Sequence, residues 1–160
     1  MIKPLRFVFA SLFVLGTMAV TVGEEPVIPT PAEMWDEDRT RQFDAIDLNL
    51  EDFVWVARPV VVFANSAADP AFQRQIELLT ERFEQLSERD VVLIVDTDPA
   101  GESPLRQKLR PRGFMLVLIG KDGGVKLRKP FPWDVRELTR VIDKSPIRQQ
   151  EVRDRRNLNQ

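Results

Sequence analysis

The chain of 160 residues is 43% hydrophobic and has a formal net charge of −2, which suits one globular domain with a packed core. Cysteine, histidine and tyrosine are absent. These absences exclude disulfides, thiol redox chemistry, a Ser-His-Asp or Cys-His nucleophile, and zinc sites built on cysteine and histidine. No sequence pattern requires a cofactor.

The first 23 residues have the pattern of a secretory signal peptide. Lys3 and Arg6 precede a mostly apolar run over residues 7–23, and small residues end it at Gly23, before two glutamates. We expect cleavage near Gly23, no stable membrane anchor afterwards, and a periplasmic or secreted mature chain. In the alternative, the run stays uncleaved as an anchoring helix, since about 17 residues is the short limit of a bilayer span.

Residues 24–52 form an acidic lead-in. Three prolines and four closely spaced acidic residues, Pro26, Pro29, Pro31, Glu33, Asp36, Glu37 and Asp38, are typical of an extended, flexible linker. The apolar residues of its second half, which we expect to dock on the domain, are Phe43, Ile46, Leu48 and Leu50.

The domain itself is predicted over residues 53–148 and begins with a βαβ unit. Residues 60–64 and 91–95 are continuous apolar runs, typical of buried parallel strands. Asp69-Pro70 is a strong helix start, with a capping carboxylate followed by proline. One helix is predicted from there to Ser87, on an apolar face made of Phe72, Ile76, Leu79, Phe83 and Leu86.

The second half is predicted as a short helix, a β-hairpin and a last helix. Ser103-Pro104 repeats the cap-and-proline signal and starts the short helix. Residues 114–119 and 125–128 form the hairpin, with a left-handed two-residue turn at Asp122-Gly123. The last helix is predicted to bury Val135, Leu138, Val141 and Ile142 and to stop or kink at Pro146. The polar tail, residues 149–160, is either helical or frayed.

This order of elements predicts an α/β, thioredoxin-like fold, with the βαβ unit, hairpin and C-terminal helix arranged on a four-stranded mixed sheet. Four segments also resemble a family: Arg58-Pro-Val-Val-Val-Phe-Ala64, Glu88-Arg-Asp-Val-Val92, Leu118-Ile-Gly-Lys-Asp-Gly-Gly-Val-Lys126 and Ile142-Asp-Lys-Ser-Pro-Ile-Arg148. They resemble the bacterial domain of unknown function numbered 4174. That family is similar to peroxiredoxin-like domains of animal extracellular proteins such as equarin and the sushi-repeat proteins. The resemblance covers residues 58–153 and implies no catalytic residues.

The loop before the long helix is the first candidate site. Redox thioredoxins carry Cys-x-x-Cys here, whereas this chain has Asn65-Ser-Ala-Ala-Asp-Pro70. The loop could still hold an anion or a peptide through backbone N–H groups, which makes Asn65, Ser66 and Asp69 candidate ligand-binding residues. Alternatively, Ser66 and Asp69 only cap the helix.

Asp96 and Asp98, after the second predicted strand, are the second candidate site. Two carboxylates there could hold Mg²⁺ or Ca²⁺, and an apolar run before Asp-x-Asp is similar to the first motif of haloacid-dehalogenase phosphatases. This gives the alternative function, an oxygen-ligated metal hydrolase. The further acidic pair of that family has no counterpart near Gly120, and aspartates are also ordinary loop residues.

Charge is unevenly divided along the predicted mature chain. Residues 24–103 contain 6 basic and 19 acidic residues, net −13, and residues 104–160 contain 15 basic and 6 acidic residues, net +9. An acidic envelope protein, an anionic envelope polymer or the chain's own acidic N-terminal segment is therefore a better partner than nucleic acid, although a solvated charged surface explains the pattern as well. We predict an exported, non-redox binding or structural module.

Overall fold

The computed structural model describes residues 28–46 and 48–160, so the predicted signal peptide lies outside the described residues. This part of the chain contains five strands: β1 (Gln42–Asp44), β2 (Arg58–Phe63), β3 (Val91–Asp96), β4 (Met115–Ile119) and β5 (Val125–Lys129). It also contains six α-helices: α1 (Pro31–Glu37), α2 (Pro70–Glu81), α3 (Phe83–Ser87), α4 (Pro104–Leu109), α5 (Val135–Asp143) and α6 (Pro146–Leu158). Short 3-10 turns lie at Leu50–Phe53 and Pro99–Gly101.

All five strands belong to one mixed sheet, in the order β1-β3-β2-β4-β5. Strands β1, β2 and β3 run parallel, and β4 is antiparallel to both β2 and β5. The predicted βαβ unit, hairpin and C-terminal helix are confirmed. The strand count differs from the predicted four because β1, in the lead-in, pairs with the outer edge of β3.

The prediction of a flexible linker over residues 24–52 is wrong for the part that the structure describes. Thr30 and Glu33 form a reciprocal capping box that starts α1, and Trp35 of this helix is only 1% exposed. Acidic composition was a misleading signal because the carboxylates of α1 point to solvent while one large apolar side chain anchors it. As expected, Leu48 and Leu50 are buried and Phe43 is half-buried, whereas Ile46 remains 44% exposed.

The predicted helix over residues 70–87 is two helices. Asp69 caps α2 by accepting hydrogen bonds from the N–H groups of Ala71 and Phe72. At Arg82 the backbone leaves the helical region (φ −129°, ψ 30°), and α3 begins at the next residue. Since Leu79 and Leu86 are both buried, the break keeps the apolar face on the sheet.

The hairpin turn is longer than predicted. The N–H of Gly123 donates to the carbonyl of Gly120, and the N–H of Gly120 donates to the carbonyl of Gly124. Gly123 has a positive φ of 74°, and Asp122 is not among the described positive-φ residues. The connection is therefore a three-residue loop with one left-handed glycine, which is a common hairpin alternative to the two-residue turn.

Both faces of the sheet are covered. Because side chains alternate along a strand, Val61 and Phe63 of β2 face one core with Trp35, while Val60 and Val62 face a second core with Leu79. Helix α5 packs on the second core, and α6 continues the chain as a helix to Leu158. In the described ranges, no helix has the length and apolarity needed to cross a membrane.

Candidate functional site

Asn65, Ser66 and Asp69 lie in the loop between the carboxyl end of β2 and the start of α2. Asn65 is exposed, the Ser66 hydroxyl accepts from the N–H of Ala68 at 3.0 Å, and Asp69 Oδ1 accepts from the N–H of Ala71 at 2.8 Å. Two of the three polar side chains are thus engaged in local backbone capping. Their role as ligand-binding residues stays a prediction.

Asp96, at the carboxyl end of β3, is held in a buried ion pair. Its side chain is 4% exposed, and its Oδ1 accepts from Arg106 Nη2 at 2.6 Å and from Arg106 Nε at 3.2 Å. Its Oδ2 accepts from the Ser103 hydroxyl at 2.5 Å. Arg106 Nη2 also reaches the carbonyl of Ala64 at 3.0 Å. The network therefore fastens α4 to the ends of two neighbouring strands.

Asp98 serves the following 3-10 turn, where its Oδ1 accepts from the N–H of Ala100 at 3.0 Å. The two aspartates thus have different partners. Residues 28–46 and 48–160 contain no group of three or more His, Cys, Asp or Glu side chains arranged to hold a metal ion. The Asp96 carboxylate has a structural role, because its hydrogen bonds hold α4 against the sheet.

A cavity of about 220 Å³ lies at the opposite end of the sheet, between the hairpin loop and the junction of α5 and α6. Its apolar walls come from Leu118, Ile119, Val141, Ile142, Pro146 and Ile147. Its polar rim comes from Arg58, Gly120, Lys121, Asp122, Lys126 and Ser145. Apolar walls with a few polar groups at the edge are the usual lining of a ligand site, although this cavity is smaller than most such sites.

A β-bulge places Lys126 at this rim. Ile119 lies opposite Val125, but Leu118 lies opposite Leu127, so Lys126 is the extra residue of β5. Its ammonium group contacts Asp122 Oδ2 at 2.6 Å, and both side chains are about one-third exposed. That hydrogen bond lowers the pKa of Asp122 and outweighs the opposing effect of burial, and the N–H of Gly124 lowers the pKa further.

Arg58 and Lys121 are fixed by carboxylates behind the cavity. Arg58, whose side chain is 3% exposed, bonds Glu151 Oε1 at 2.9 Å, and Lys121 Nζ lies 3.1 Å from the same oxygen. Lys121 also reaches Asp90 Oδ2 at 2.9 Å. Burial raises the pKa of Asp90 and of Glu151. Hydrogen bonds from Lys121 and Arg39 to Asp90, and from Arg58 and Lys121 to Glu151, outweigh burial and leave both pKa values below their ordinary range.

Sequence reasoning missed this end of the molecule. Arg58 and Glu151 are 93 residues apart in the chain, and no local pattern connects them. The only signal was the hairpin sequence from Leu118 to Lys126, which we interpreted as a turn and as part of a family resemblance.

Residues 49–151 match the family model described as Domain of unknown function (DUF4174). The chain belongs to this family. No curated protein matches the chain. The relation of this DUF4174 protein to equarin and the sushi-repeat proteins stays a prediction.

Solved structures similar to this DUF4174 chain include peroxiredoxins. The reduced 2-Cys peroxiredoxin of Plasmodium vivax is 16% identical with a TM-score of 0.52, and the match covers 65% of this chain and 85% of that one. Thioredoxin peroxidase I of Plasmodium yoelii is 18% identical, with a TM-score of 0.47 and coverage of 60% and 76%. The mitochondrial 2-Cys peroxiredoxin of Plasmodium falciparum is 15% identical, with a TM-score of 0.45 and coverage of 60% and 79%. The first likeness confirms the predicted thioredoxin-like fold, and at this identity it shows the fold alone.

Proposed function

We propose that this DUF4174 domain is a non-redox binding module that takes one large apolar side chain of an acidic protein partner into the cavity beside the hairpin loop. The observation that carries the proposal is the cavity itself, with aliphatic walls and a rim that contains three cationic side chains.

The size of the cavity limits what can enter it. An engineered cavity of about 150 Å³ lined by aliphatic and aromatic residues is large enough to bind benzene. A space of about 220 Å³ therefore accommodates an aromatic ring or a branched aliphatic side chain, but not a nucleotide or a flavin. This supports recognition of one anchoring side chain on a protein.

The charged rim favours a partner that carries an acidic residue next to this anchoring side chain. Arg58 and Lys121 already have carboxylate partners, whereas among the described residues Lys126 pairs only with Asp122, at the protein surface. Exposed ion pairs contribute about 0–1 kcal/mol, so Lys126 can exchange Asp122 for a carboxylate of the partner at little cost.

Two features favour binding over catalysis. The sequence has no cysteine for peroxidase or thioredoxin chemistry, and the corresponding loop carries Asn65, Ser66 and Asp69. For a metal hydrolase, Asp96 is already engaged, because three hydrogen bonds from Arg106 and Ser103 occupy most of its acceptor sites and the Arg106 guanidinium compensates its charge. Neither alternative gains support from the arrangement of these groups.

The module acts outside the cytoplasm after removal of residues 1–23, on an envelope protein. The support is the sequence pattern, in which Lys3 and Arg6 precede the apolar run. N-terminal sequencing of the protein recovered from fractionated cells tests this. Recovery of a chain that still begins at Met1 would contradict removal of the segment.

Titration with N-acetylphenylalanine, followed by amide NMR shifts, tests the cavity. This probe combines an aromatic ring with a carboxylate, and we expect saturable shifts at Gly120, Ser145 and Ile147. Val141→Phe fills the cavity from a half-buried position on α5 and should abolish these shifts.

Ile76→Phe is the matched control because Ile76 is half-buried on α2, against a different groove. Thermal unfolding checks that both variants are folded. Absence of saturable shifts in the wild type, or equal binding by the two variants, would exclude the cavity as the site.

A further inference from the structure

A second groove, of about 420 Å³, lies on the other side of the α5–α6 junction and is strongly cationic. Its charged lining residues are four arginines, Arg89, Arg148, Arg153 and Arg156, and one carboxylate, Asp143. The lining therefore carries a net charge of +3 from these five residues. The apolar cavity shares no lining residue with it.

Arg148 has donor capacity that the described part of the protein leaves unused. The residue is only 8% exposed, and its Nε is buried without a hydrogen-bond partner among the described residues. The nearest carboxylate oxygen, Asp143 Oδ1, is 3.8 Å away, which is too far for a hydrogen bond. Because a buried unsatisfied donor is costly, a buried arginine in this state indicates a missing acceptor.

Asp143 is not free to supply that acceptor. Its two oxygens accept from Arg89 Nε at 2.8 Å and from Arg89 Nη2 at 2.9 Å, in a bidentate pair. Glu151 Oε2 accepts from Arg148 Nη1 at 3.3 Å, but it does not reach Nε. The charge of Arg148 is thus only partly compensated.

The other two arginines reach the groove from α6. Arg153 donates through Nε and Nη2 to the neutral amide oxygen of Gln150, and no carboxylate in the described part of the chain compensates its charge. The guanidinium of Arg156 forms no hydrogen bond within residues 28–46 and 48–160, and both residues are exposed. Both can therefore turn toward a ligand without breaking an ion pair.

We propose that this arginine groove is a binding site for a phosphoryl group. Arg89 and Arg148 have carboxylate partners in Asp143, Glu88 and Glu151, so the charges open to a ligand are chiefly those of Arg153 and Arg156. A phosphate ester carries about −1.5 to −2 charges at neutral pH and three strong acceptor oxygens, so it can compensate both arginines at once. Guanidinium groups also match phosphate oxygens through paired N–H donors. A free phosphate and a phospholipid headgroup present the same chemistry.

Titration of the full-length protein with sodium phosphate, against sodium chloride at equal ionic strength, tests the site by calorimetry. We expect saturable binding of phosphate only. Arg153→Gln/Arg156→Gln should raise the Kd at least tenfold, and Arg153→Lys/Arg156→Lys should lie between, because lysine keeps the charge but loses the paired donors.

The matched control is Arg136→Gln/Arg140→Gln, which removes the same charge from exposed positions on α5 and should leave the Kd unchanged. Val141→Phe should also leave it unchanged, so the groove and the cavity can fail independently. No phosphate binding beyond the chloride control, or equal loss in both double variants, overturns the proposal.

Vesicles distinguish the two sources of the group once phosphate binding is found. Sedimentation with phosphatidic acid vesicles, but not with phosphatidylcholine vesicles, and its loss in Arg153→Gln/Arg156→Gln assign a lipid headgroup. Phosphate binding without sedimentation assigns a soluble phosphate.

Discussion

Gln75, on α2, should be among the most sensitive polar positions of the fold. Its side chain is fully buried, and its amide bonds both backbone groups of Trp133: Nε2 donates to the carbonyl at 3.0 Å, and Oε1 accepts from the N–H at 2.7 Å. This pair of bonds fixes the segment between β5 and α5 onto α2.

Gln75→Met keeps the approximate volume but removes both hydrogen bonds. Each bond contributes about 1 kcal/mol net, and a buried backbone group left without a partner costs about 1–3 kcal/mol. Allowing for partial access of water to Trp133, which is half-buried, we expect the free energy of unfolding to fall by about 2–4 kcal/mol. Urea unfolding measures this directly.

Gln75→Glu should have a different pH dependence. An ionised carboxylate can still accept from the N–H of Trp133, but its second oxygen faces the carbonyl oxygen. Burial and this contact raise the pKa of the introduced carboxyl above its unfolded-state value. The variant should therefore lose stability, relative to Gln75→Met at the same pH, as the pH rises through the folded-state pKa.

Gln73→Met is the control, since Gln73 is exposed and its only described side-chain hydrogen bond is 3.5 Å long. A cost below about 0.5 kcal/mol is expected there. If Gln75→Met costs no more than this control, the reasoning about its two bonds is refuted.

Two further stability predictions concern the loop before β2 and the ion pairs of Asp90 and Glu151 beside the first residue of β2. Trp55 adopts a positive φ of 63°, and its side chain is 67% exposed. Because a left-handed backbone strains any residue with a Cβ, Trp55→Gly should raise the free energy of unfolding by about 1 kcal/mol. Urea unfolding measures this change. A loss of stability would contradict this. Asp90 and Glu151 have folded-state pKa values below the ordinary 3.8 and 4.5. Their ionised forms therefore add to the free energy of unfolding above pH 3.8 and 4.5, and this stabilisation is lost as the pH falls through the folded-state pKa values. Asp90→Asn/Glu151→Gln should be less stable than the wild type at pH 7 but lose less stability on acidification. Urea unfolding at several pH values measures this. If the variant and the wild type lose the same free energy of unfolding as the pH falls, the prediction is refuted.

Local signals predicted the central elements because their causes are local. The cap-and-proline pair at Asp69 starts α2, and the continuous apolar runs became β2 and β3. The same Ser-Pro signal that predicted α4 is present at Ser145-Pro146, where it starts α6. Pro146 was predicted to stop or kink the last helix; in the structure α5 ends at Asp143, and Pro146 is the first residue of α6.

Contacts between distant segments account for what sequence reasoning missed. The pairing of β1 with β3 needs a neighbour about 50 residues away, and the capping box at Thr30 and Glu33 was outweighed by the acidic composition around it. Gln75 lies on a helix with a clear apolar face, and only the position of Trp133 reveals why a polar residue is buried there. Both the cavity and the arginine groove depend on where α6 packs.

The pairing of Arg58 with Glu151 has a consequence for the order in which the protein can fold. During synthesis, β2 and β3 emerge long before α6, so Arg58 cannot be buried with its carboxylate partner until nearly the whole domain has left the ribosome. Long-range pairing of this kind slows folding. For the export that we propose, such a delay would be useful, because a chain has to be unfolded to pass through a membrane channel.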